Sequence, residues 1–474
     1  MVRTFRPFTA VLAVALAFAA CQSASTPEPG VDVVATVGGT ALRTIEPGLV
    51  FGANFGAWVG HDKLGTATRD LVKALRPSTG RFPGGNISNN YCWVTQKVSG
   101  NDHLVWEDWS WGTNVDQYLA FLKDIGAVPM FSLNPFDHTI DGQPHSAASE
   151  AAALARLFVA EGFAGACYEV GNENDGSWNP MLSIDEYTDR FVLLVRAVKA
   201  VDPTARSMGP VVSSYNMAWI TGFLDRLAAL GETGLLDWIS YHHYGGWISN
   251  SNANTIDLDD PQDLGEELTA VRNALAARGL GRVKIAVNEL NAAIWDTGCA
   301  RDQFTIKQGL WLADALGVSM GSASFPNAAD AANVWIHLHP GTDPHSLLDS
   351  EADPPRPTRN YWPVALAAQT LSGPDPSLAV EALMVSFDTE SSALTGYAVR
   401  KADGSLGVML VNKTGQSLTV AVDLPAAPRS VAGRRLGLEE YNAGSGPVAV
   451  TVSITDRRAA VTLPATSIAG LDVR

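Results

Sequence analysis

The sequence is short of positive charge and of cysteine. It carries 33 Lys and Arg residues against 49 Asp and Glu, a formal net charge of −16, and only 4 Cys in 474 residues. Proteins that bind nucleic acid concentrate Lys and Arg on one surface, and docking on anionic lipid needs the same positive charge. The acidic balance therefore argues against both kinds of partner, and an uncharged partner fits the composition best.

Several chemical motifs are also absent. The sequence has no G-x-G-x-x-G segment and no P-loop, so no nucleotide site is indicated. It has no C-x-x-C pair and no Cys/His cluster with zinc-ligand spacing. The pairs His242-His243 and His337/His339 have no matching carboxylate motif beside them. The sequence therefore predicts neither a metal nor a cofactor.

The first residues resemble an export signal. Arg3 and Arg6 precede an apolar run that ends at Ala20, too short for the ~20 residues of a spanning helix. Residues 1–21 thus read as a signal peptide, and small residues before Cys21 resemble a bacterial lipobox, although Phe18 stands where Leu is usual. We expect an exported protein, either anchored in the cell envelope by a lipid on Cys21 or secreted to the periplasm or medium. Residues 22–30 predict a flexible linker.

Three cysteines remain if Cys21 is acylated. Cys92, Cys167 and Cys299 allow at most one disulfide within the chain. A Cys92–Cys299 bond is conceivable, but sequence alone does not give the pairing.

From residue 48 onward, short apolar runs alternate with helical periodicity, which is typical of β/α units around a parallel sheet. The pattern predicts a (β/α)8 TIM barrel over residues 48–372. A doubly wound sheet is the alternative, but it normally carries a Gly-rich phosphate loop, which is missing. The predicted strands are Val50–Trp58, Ser78–Pro83, Val128–Asn134, Cys167–Glu173, Ser207–Ser213, Trp238–Tyr244, Lys284–Asn291 and Gly321–Phe325. The predicted helices are Leu64–Leu75, Asp116–Ile125, Ala147–Glu161, Ile184–Ala200 and Leu264–Arg278.

The pattern changes after Gly373. Short alternating stretches separated by Gly, Pro, Asp and Asn predict a C-terminal antiparallel β-sandwich over residues 373–474. Residues 31–47 could add strands to it. Every Trp lies between Trp58 and Trp362, so the sandwich has no Trp platform for stacking sugars, which favours a structural companion over a sugar-binding module.

Two carboxylates mark the predicted barrel mouth. Glu173 closes strand four and Glu289 closes strand seven, and reactive side chains of TIM barrels stand at these C-terminal strand ends. One such carboxylate is explained by a salt bridge or a helix cap. Two on opposite sides of the mouth predict the pair of a retaining glycosidase, which lies ~5–5.5 Å apart. Arg81, at the end of strand two, is the candidate donor that keeps one of them ionised.

The surrounding residues resemble a known group of enzymes. Asn172-Glu173 after a strand is similar to the Asn-Glu pair of the retaining clan A glycoside hydrolases. The segment from Arg81 to Asn86, Arg-Phe-Pro-Gly-Gly-Asn, resembles the Arg-Tyr-Pro-Gly-Gly-Asn segment of the clan's α-L-arabinofuranosidases. The stretch from Tyr168 to Trp178 resembles their Glu-hydrophobic-Gly-Asn-Glu segment, which a Trp follows.

The resemblance implies a role for each matching residue. Glu173 becomes the acid/base and Glu289 the nucleophile of a double displacement on plant-type polysaccharide or oligosaccharide. Arg81 becomes the residue that orients Glu289. The implied sugar contacts are Asn172 with the 2-hydroxyl, Asn86, and Trp178 by ring stacking. His243 or Tyr244 is expected to approach the nucleophile from strand six.

Two departures leave the substrate open. The arabinofuranosidases carry Phe-Glu-His on strand one, whose Glu binds arabinose, whereas the stretch from Asn54 to Trp58 lacks that Glu. Leu290 also follows the nucleophile where Trp is common. An arabinofuranosidase-like exo-enzyme is the first hypothesis. An endo-β-glycanase acting on xylan or glucan, or another exo-glycosidase of the clan, is the second, and a non-catalytic glycan-binding lipoprotein is the third.

A Trp-rich segment follows predicted strand two. Trp106, Trp109 and Trp111 lie close together, with Trp93 nearby. Each is explained equally by core packing or by stacking on sugar rings, and their crowding in a loop favours binding.

Overall fold

The computed structural model describes residues 30–45, 51–245, 255–293, 302–326, 328–375, 377–389 and 391–474. The predicted leader, Cys21 and Cys299 lie outside the described residues, so the signal, the lipid anchor and the Cys92–Cys299 bond stay predictions. Within the described ranges, no helix combines the length and apolar character needed to cross a membrane.

Eight parallel strands close into a barrel, which confirms the predicted TIM barrel. Each strand pairs in parallel with the next along the chain, and the eighth pairs with the first. In chain order, strands one to eight are Phe51–Asn54, Thr79–Phe82, Val128–Leu133, Cys167–Val170, Arg206–Val212, Trp238–Gly245, Lys284–Ala292 and Ala331–Val334.

The eighth strand corrects the prediction. Gly321–Phe325 is not a strand, because Gly321 ends a helix at a φ of 111° and Ser322 and Phe325 then close a turn on each other. The true strand, Ala331–Val334, is short and rich in Ala, which has little β-propensity, so its pattern is weak.

Long helices surround the barrel. All five predicted helices are present with small shifts at their ends, but four others of the described residues were missed. Ile306–Met320 is buried at every position except Lys307, so it has no polar face and no helical period in its hydropathy. The α-helices of the described residues are Thr66–Ala74, Val115–Ile125, Ala147–Ala160, Ile184–Val201, Met217–Ala229, Asp260–Ala277, Ile306–Met320, Tyr361–Leu371 and Leu438–Ala443, with 3-10 turns at His61–Leu64, Gly85–Asn89 and Thr233–Leu235.

Three small sheets lie in the loops of the barrel. The loop after strand two holds Tyr91–Cys92, Lys97–Ser99 and Trp106–Asp108, and the loop after strand three holds the hairpin His138–Ile140 and Gln143–His145. A third sheet, after strand eight, is formed by Leu338–His339, Leu348–Asp349 and Arg356–Pro357. These sheets build up the mouth of the barrel.

The C-terminal part is one ten-stranded sheet around its own apolar core, and it confirms the predicted β-sandwich. Val33–Ile45 pairs antiparallel with Val380–Phe387 and parallel with Leu418–Asp423, so one pair departs from the antiparallel pattern. The sheet folds back on itself, because a Cβ added at Gly433 would lie 2.8 Å from Val452, on a strand at the far end of the order. The other strands are Leu394–Arg400, Leu406–Asn412, Val431–Leu436, Val448–Val450, Val452–Thr455, Arg458–Leu463 and Ser467–Val473.

The sandwich packs against helices Ile306–Met320 and Tyr361–Leu371. At this junction Asp314, which is fully buried, accepts hydrogen bonds from the Tyr397 hydroxyl at 2.7 Å and from Lys413 Nζ at 2.9 Å. A side chain at Gly317 would collide with the Tyr397 ring at 2.3 Å, so the helix needs glycine there. The junction is therefore closely packed.

Candidate active site

Glu173 and Glu289 face each other across the barrel mouth. Glu289 lies on strand seven, and Glu173 lies just past the end of strand four, with a φ of 49°. One carboxylate oxygen of each lies within 4.8 Å of the other and of a ring nitrogen of His242. Both side chains are largely buried yet line the same cleft. Strands from opposite sides of the barrel thus bring two carboxylates onto one small volume.

Glu289 is held by two donors. Arg81 Nη1 donates to Oε1 at 2.7 Å, and the Tyr244 hydroxyl donates to Oε2 at 2.6 Å. The Arg81 side chain has no exposed surface. Glu289 is thus paired with a buried cation and also accepts a hydrogen bond from a hydroxyl.

Arg81 also fixes other side chains within the barrel. Its Nε donates to Glu169 Oε2 at 2.6 Å and its Nη2 to Asn172 Oδ1 at 2.6 Å. Burial opposes the charge of Arg81, but Glu169 and Glu289 outweigh it and raise the pKa of the guanidinium. Burial likewise opposes the charge of Glu169, but Arg81 and His242 lower the pKa of this carboxyl below its usual value. Glu169 is therefore an internal ion-pair partner and is not a member of the cleft.

Glu173 has a different environment. His242 Nδ1 lies 2.7 Å from Oε1, and the Trp178 indole donates to Oε2 at 2.7 Å. Burial favours the neutral acid, but these two hydrogen bonds and the His242 charge outweigh it and lower the pKa of Glu173. Burial lowers the pKa of His242, and Glu289 and Glu173 reverse this and raise it. The pKa directions thus favour the proton on His242, which donates to the Glu173 carboxylate across this hydrogen bond.

His243 differs from the expectation. It lies on the outer face of strand six, where Nδ1 is 2.9 Å from Glu267 and Nε2 is 3.1 Å from Asp260. Burial opposes its charge, but these carboxylates raise the pKa of His243 to about 10. Alternate residues of a strand point to opposite sides, so His242 and Tyr244 face the barrel interior together and His243 faces the helices. Sequence reasoning missed His242 as a partner of Glu173 and weighed it only as a metal ligand. The alternation of residues along strand six, which places His242 inside the barrel, is visible in the sequence.

The remaining predicted residues surround Glu173. The Asn172 side chain accepts from Arg81 and donates to Asn86 Oδ1 at 3.2 Å. Asn86 also accepts from Asn179 at 2.9 Å and lines the cleft. Trp178 is 54% exposed, so its ring is available for stacking. Every predicted site residue except His243 is thus in or directly beside the cleft.

The cleft has a volume of about 700 Å³, within the range of small-ligand sites. Trp335 lines it directly after strand eight, and Ser213 and Ser214 line it after strand five. The sequence missed Trp335 because strand eight was misplaced. Gly85 allows this ring to approach, since it has a φ of 50° and an added Cβ would lie 2.7 Å from the Trp335 ring.

The residues directly after strand one show which side chain occupies the place of the missing Glu. Gly56 follows Phe55, where the arabinofuranosidase motif has its Glu, and a Cβ on Gly56 would lie 2.2 Å from the Trp58 ring. The indole therefore occupies the space of a side chain at position 56. Its ring centroid is 6.1 Å from that of Trp335. An aromatic surface thus stands where a sugar-binding carboxylate was expected.

The Trp-rich segment divides into packed and exposed rings. Trp106 packs 4.6 Å from the His138 ring, and Trp109 lies 5.5 Å from Trp111. Trp111 is 53% exposed. Trp106 thus serves packing, whereas Trp111 is available to a ligand.

Two groups of described side chains bring metal-ligating atoms within 4.8 Å of one another. One is Glu173, His242 and Glu289, which suits a cation poorly because Arg81, Tyr244 and Trp178 already donate to its carboxylates. The other, at the side of the mouth, consists of Cys92, His138, His145 and Glu150.

Comparisons with known proteins agree with this architecture. No family model matches the chain. It is 25% identical over 248 residues to an intracellular exo-α-(1→5)-L-arabinofuranosidase of Streptomyces lividans, covering 48% of this chain and 37% of the relative. The chain thus spans about two fifths of the length of this curated relative.

Solved structures match over nearly the whole chain. An α-L-arabinofuranosidase of Thermotoga maritima, solved with arabinose, has a TM-score of 0.72 at 18% identity and covers 93% of this chain and 99% of its own. A family 44 xyloglucanase of Paenibacillus polymyxa has a TM-score of 0.68 at 15% identity, with 93% and 99% covered. At these identities the structures establish the fold, and with the sequence relative they confirm the resemblance to arabinofuranosidases.

Proposed function

We propose that this chain is a retaining O-glycoside hydrolase. The observation that carries the proposal is the pair Glu173 and Glu289, whose oxygens lie within 4.8 Å in one cleft and whose partners differ in kind. A cation and a hydroxyl hold Glu289 ready to attack. Glu173 instead accepts a hydrogen bond from His242. This spacing supports retention, because inverting enzymes separate their carboxyl groups by about 6.5–9.5 Å to admit a water.

The reaction then proceeds by double displacement. Glu289 attacks the anomeric carbon and forms an ester with the sugar, while Glu173 gives a proton to the departing oxygen and the C–O bond breaks. The proton comes from the Glu173–His242 pair. A water next loses a proton to Glu173 and attacks the same carbon, which releases Glu289 as a carboxylate. Atoms and charge balance over the two steps, and no cofactor is needed.

For the substrate, we propose a terminal arabinofuranosyl residue of plant-type polysaccharide or oligosaccharide. The sequence similarity to an arabinofuranosidase and the segment from Arg81 to Asn86 support this choice. Arg81 also fixes Asn172 beside Asn86, which lines the cleft together with Glu173.

A specific observation favours the second candidate, an endo-β-glycanase or other exo-glycosidase of the same clan. Trp58 fills the space of a side chain at Gly56, so the carboxylate contact to arabinose is replaced by an aromatic ring. Trp178 and Trp111 are exposed near the mouth, as expected where a chain of sugars stacks on flat rings.

Product analysis separates these candidates. We would incubate the protein with a panel of 4-nitrophenyl glycosides and with arabinan, xylan, xyloglucan and β-glucan. Release of arabinose from chain ends supports the first candidate, and release of oligosaccharides from the polymer interior supports the second. Proton NMR should show that the first-formed product has the same anomeric configuration as the substrate. An inverted first product, or no turnover of any substrate, would refute the proposed reaction.

We further propose that the protein works outside the cytoplasm. The support is the apolar run before Cys21 and the Ser/Thr/Pro-rich residues after it. The Streptomyces relative is named as an intracellular enzyme, so the leader would distinguish the two. Fractionation with palmitate labelling tests this, since Cys21→Ala should abolish labelling. Recovery of full-length, unlabelled protein in the cytosol would count against export.

A further inference from the structure

The loops after strands two and three bring four metal-ligating side chains together beside the mouth. Cys92 lies in the three-stranded sheet, and His138 and His145 lie on the two strands of the hairpin. Glu150 lies in the first turn of helix Ala147–Ala160. Three separate segments thus converge on one point, which explains why no compact motif is visible in the sequence.

The spacing of their ligand atoms matches one tetrahedral ion. Glu150 Oε1 lies 3.3 Å from Cys92 Sγ, 2.7 Å from His145 Nδ1 and 3.7 Å from His138 Nε2. Cys92 Sγ lies 3.9 Å from His145 Nδ1. Around Zn²⁺, bond lengths of 2.0–2.3 Å place ligand atoms about 3.2–3.8 Å apart. The four atoms need only small movements to reach that geometry.

His138 is oriented as a ligand. Its Nδ1 lies 3.0 Å from the Phe136 carbonyl, so Nδ1 carries the proton and Nε2 presents a lone pair. The side chain is fully buried, and Nε2 has no hydrogen-bond partner among the described residues. A buried nitrogen without a partner is costly, and a metal at the centre of the cluster would satisfy it. A ring N–H that donates to a backbone carbonyl, as Nδ1 of His138 does, is common among zinc-bound histidines.

The charges of the set also fit. A Cys thiolate and the Glu150 carboxylate carry two negative charges, which a divalent cation neutralises, and the two imidazoles bind as neutral rings. Since Cys92 and the His138 side chain have no exposed surface, a neutral site is favoured over an isolated buried charge.

We propose that Cys92, His138, His145 and Glu150 bind one Zn²⁺ ion that ties the loops after strands two and three to each other. The role is structural, because all four positions are filled by protein. A chain of contacts leads from this site to the barrel mouth. The Trp106 ring packs on the rings of His138 and His103, and His103 Nε2 lies 3.0 Å from the Asn89 carbonyl oxygen. Asn89 in turn accepts from the Asn172 backbone N–H at 3.1 Å. The site is independent of the reaction proposed above.

Metal analysis of the full-length processed protein tests the site. After growth with zinc and dialysis against a metal-free buffer, we expect about one zinc per chain by mass spectrometry. Cys92→Ser and His138→Ala should lower the affinity for added Zn²⁺ at least about 100-fold. Cys167→Ser is the matched control, because Cys167 is equally buried but lies on barrel strand four, and it should keep the metal.

Cobalt exchange gives a second readout that does not depend on turnover. Co²⁺ in the site should show a thiolate charge-transfer band and tetrahedral d–d bands, and Cys92→Ser should lose the first. If that variant fails to fold, His145→Ala at the less buried ligand replaces it, with the same expected loss of affinity. Wild-type protein without zinc that also fails to bind added Zn²⁺ or Co²⁺, full zinc content in the ligand variants, or a Cys92–Cys299 disulfide in peptide mapping would each overturn the proposal.

Discussion

Two buried ion-pair clusters in this protein differ in one respect. At the barrel mouth, Arg81 pairs with Glu169 and Glu289, so one cation faces two carboxylates. At the junction with the sandwich, Lys413 Nζ lies 2.9 Å from the buried Asp314 and 3.9 Å from the exposed Asp259, and the Lys413 side chain is 2% exposed. Both are costly to desolvate, and removing the only buried partner of a charge leaves that charge unpaired.

The two clusters differ in whether the carboxylate is enclosed by the protein or borders the open cleft. Asp314 receives Tyr397 and Thr395 hydroxyls as well as Lys413, so its acceptors are filled from within the protein. Glu289 also has two donors, but it borders the cleft and stands near a second carboxylate, Glu173. Two neighbouring carboxylates that border an open cleft indicate a catalytic site, whereas a carboxylate paired with a cation in a closed interface indicates a structural contact between domains. Substitutions in the two clusters should therefore separate activity from stability.

The largest effect is expected at the nucleophile. Glu289→Ala should lower kcat by at least about 10⁴-fold, because no ester can form, while the melting temperature changes little since Arg81 keeps Glu169. Steady-state kinetics and circular dichroism measure the two. Azide should restore cleavage of an activated aryl glycoside with inverted configuration. Glu267→Gln, beside the outward-facing His243, is the control and should keep activity. An equal loss of kcat in both variants would contradict the prediction that the carboxylates of the barrel mouth, and not those of the outer face, take part in the reaction.

A smaller and substrate-dependent effect is expected at the acid. Glu173→Ala should lower kcat/KM about 10²–10⁴-fold for natural glycosides, whose leaving oxygen needs a proton. Substrates with a 2,4-dinitrophenyl leaving group should suffer far less in the bond-breaking step. Pre-steady-state bursts with both substrate types measure this. The same loss for all leaving groups would show that Glu173 does not protonate them.

At the junction, stability should change and chemistry should not. Lys413→Met leaves Asp314 without its cation and should cost about 3–5 kcal/mol in the free energy of unfolding. Adding Asp314→Asn should recover part of this, because the buried charge is gone. Urea denaturation gives the free energies, and kcat per folded molecule should stay within about twofold of wild type. A matching fall in kcat would mean that the junction reaches the mouth.

The subtlest effect is a shift in pH dependence. The pKa of His242 is raised above its ordinary 6.5 and that of Glu173 is lowered, so the last proton of the pair leaves through His242. The alkaline limb of kcat/KM should thus lie above pH 6.5. In His242→Gln the last proton sits on Glu173, which has lost the lowering effect of His242 on its pKa, so this limb should report the carboxyl group and leave its wild-type position. Trp178→Phe, which keeps His242, should leave it in place. An unmoved limb in His242→Gln would assign the proton elsewhere.

Much of the barrel was predictable because its signals are local. Cys167–Val170 and Lys284–Ala292 are buried strands with a proposed catalytic carboxylate within them or just beyond them, and turn residues separate them from amphipathic helices. The sequence failed where burial removes the contrast. Ile306–Met320 is buried on all sides, and Ala331–Val334 is too short and too rich in Ala to stand out.

By itself, the sequence determined seven of the eight barrel strands and put Arg81, Asn172, Glu173 and Glu289 at strand ends, because hydrophobic periodicity and motifs are properties of neighbours in the chain. Only the tertiary structure decided which groups share a hydrogen bond or an ion. The pairing of His242 with Glu173 and the meeting of Cys92 with His138 each join residues from different loops or strands. Such contacts are set by barrel closure and by loop packing, and no local pattern records them.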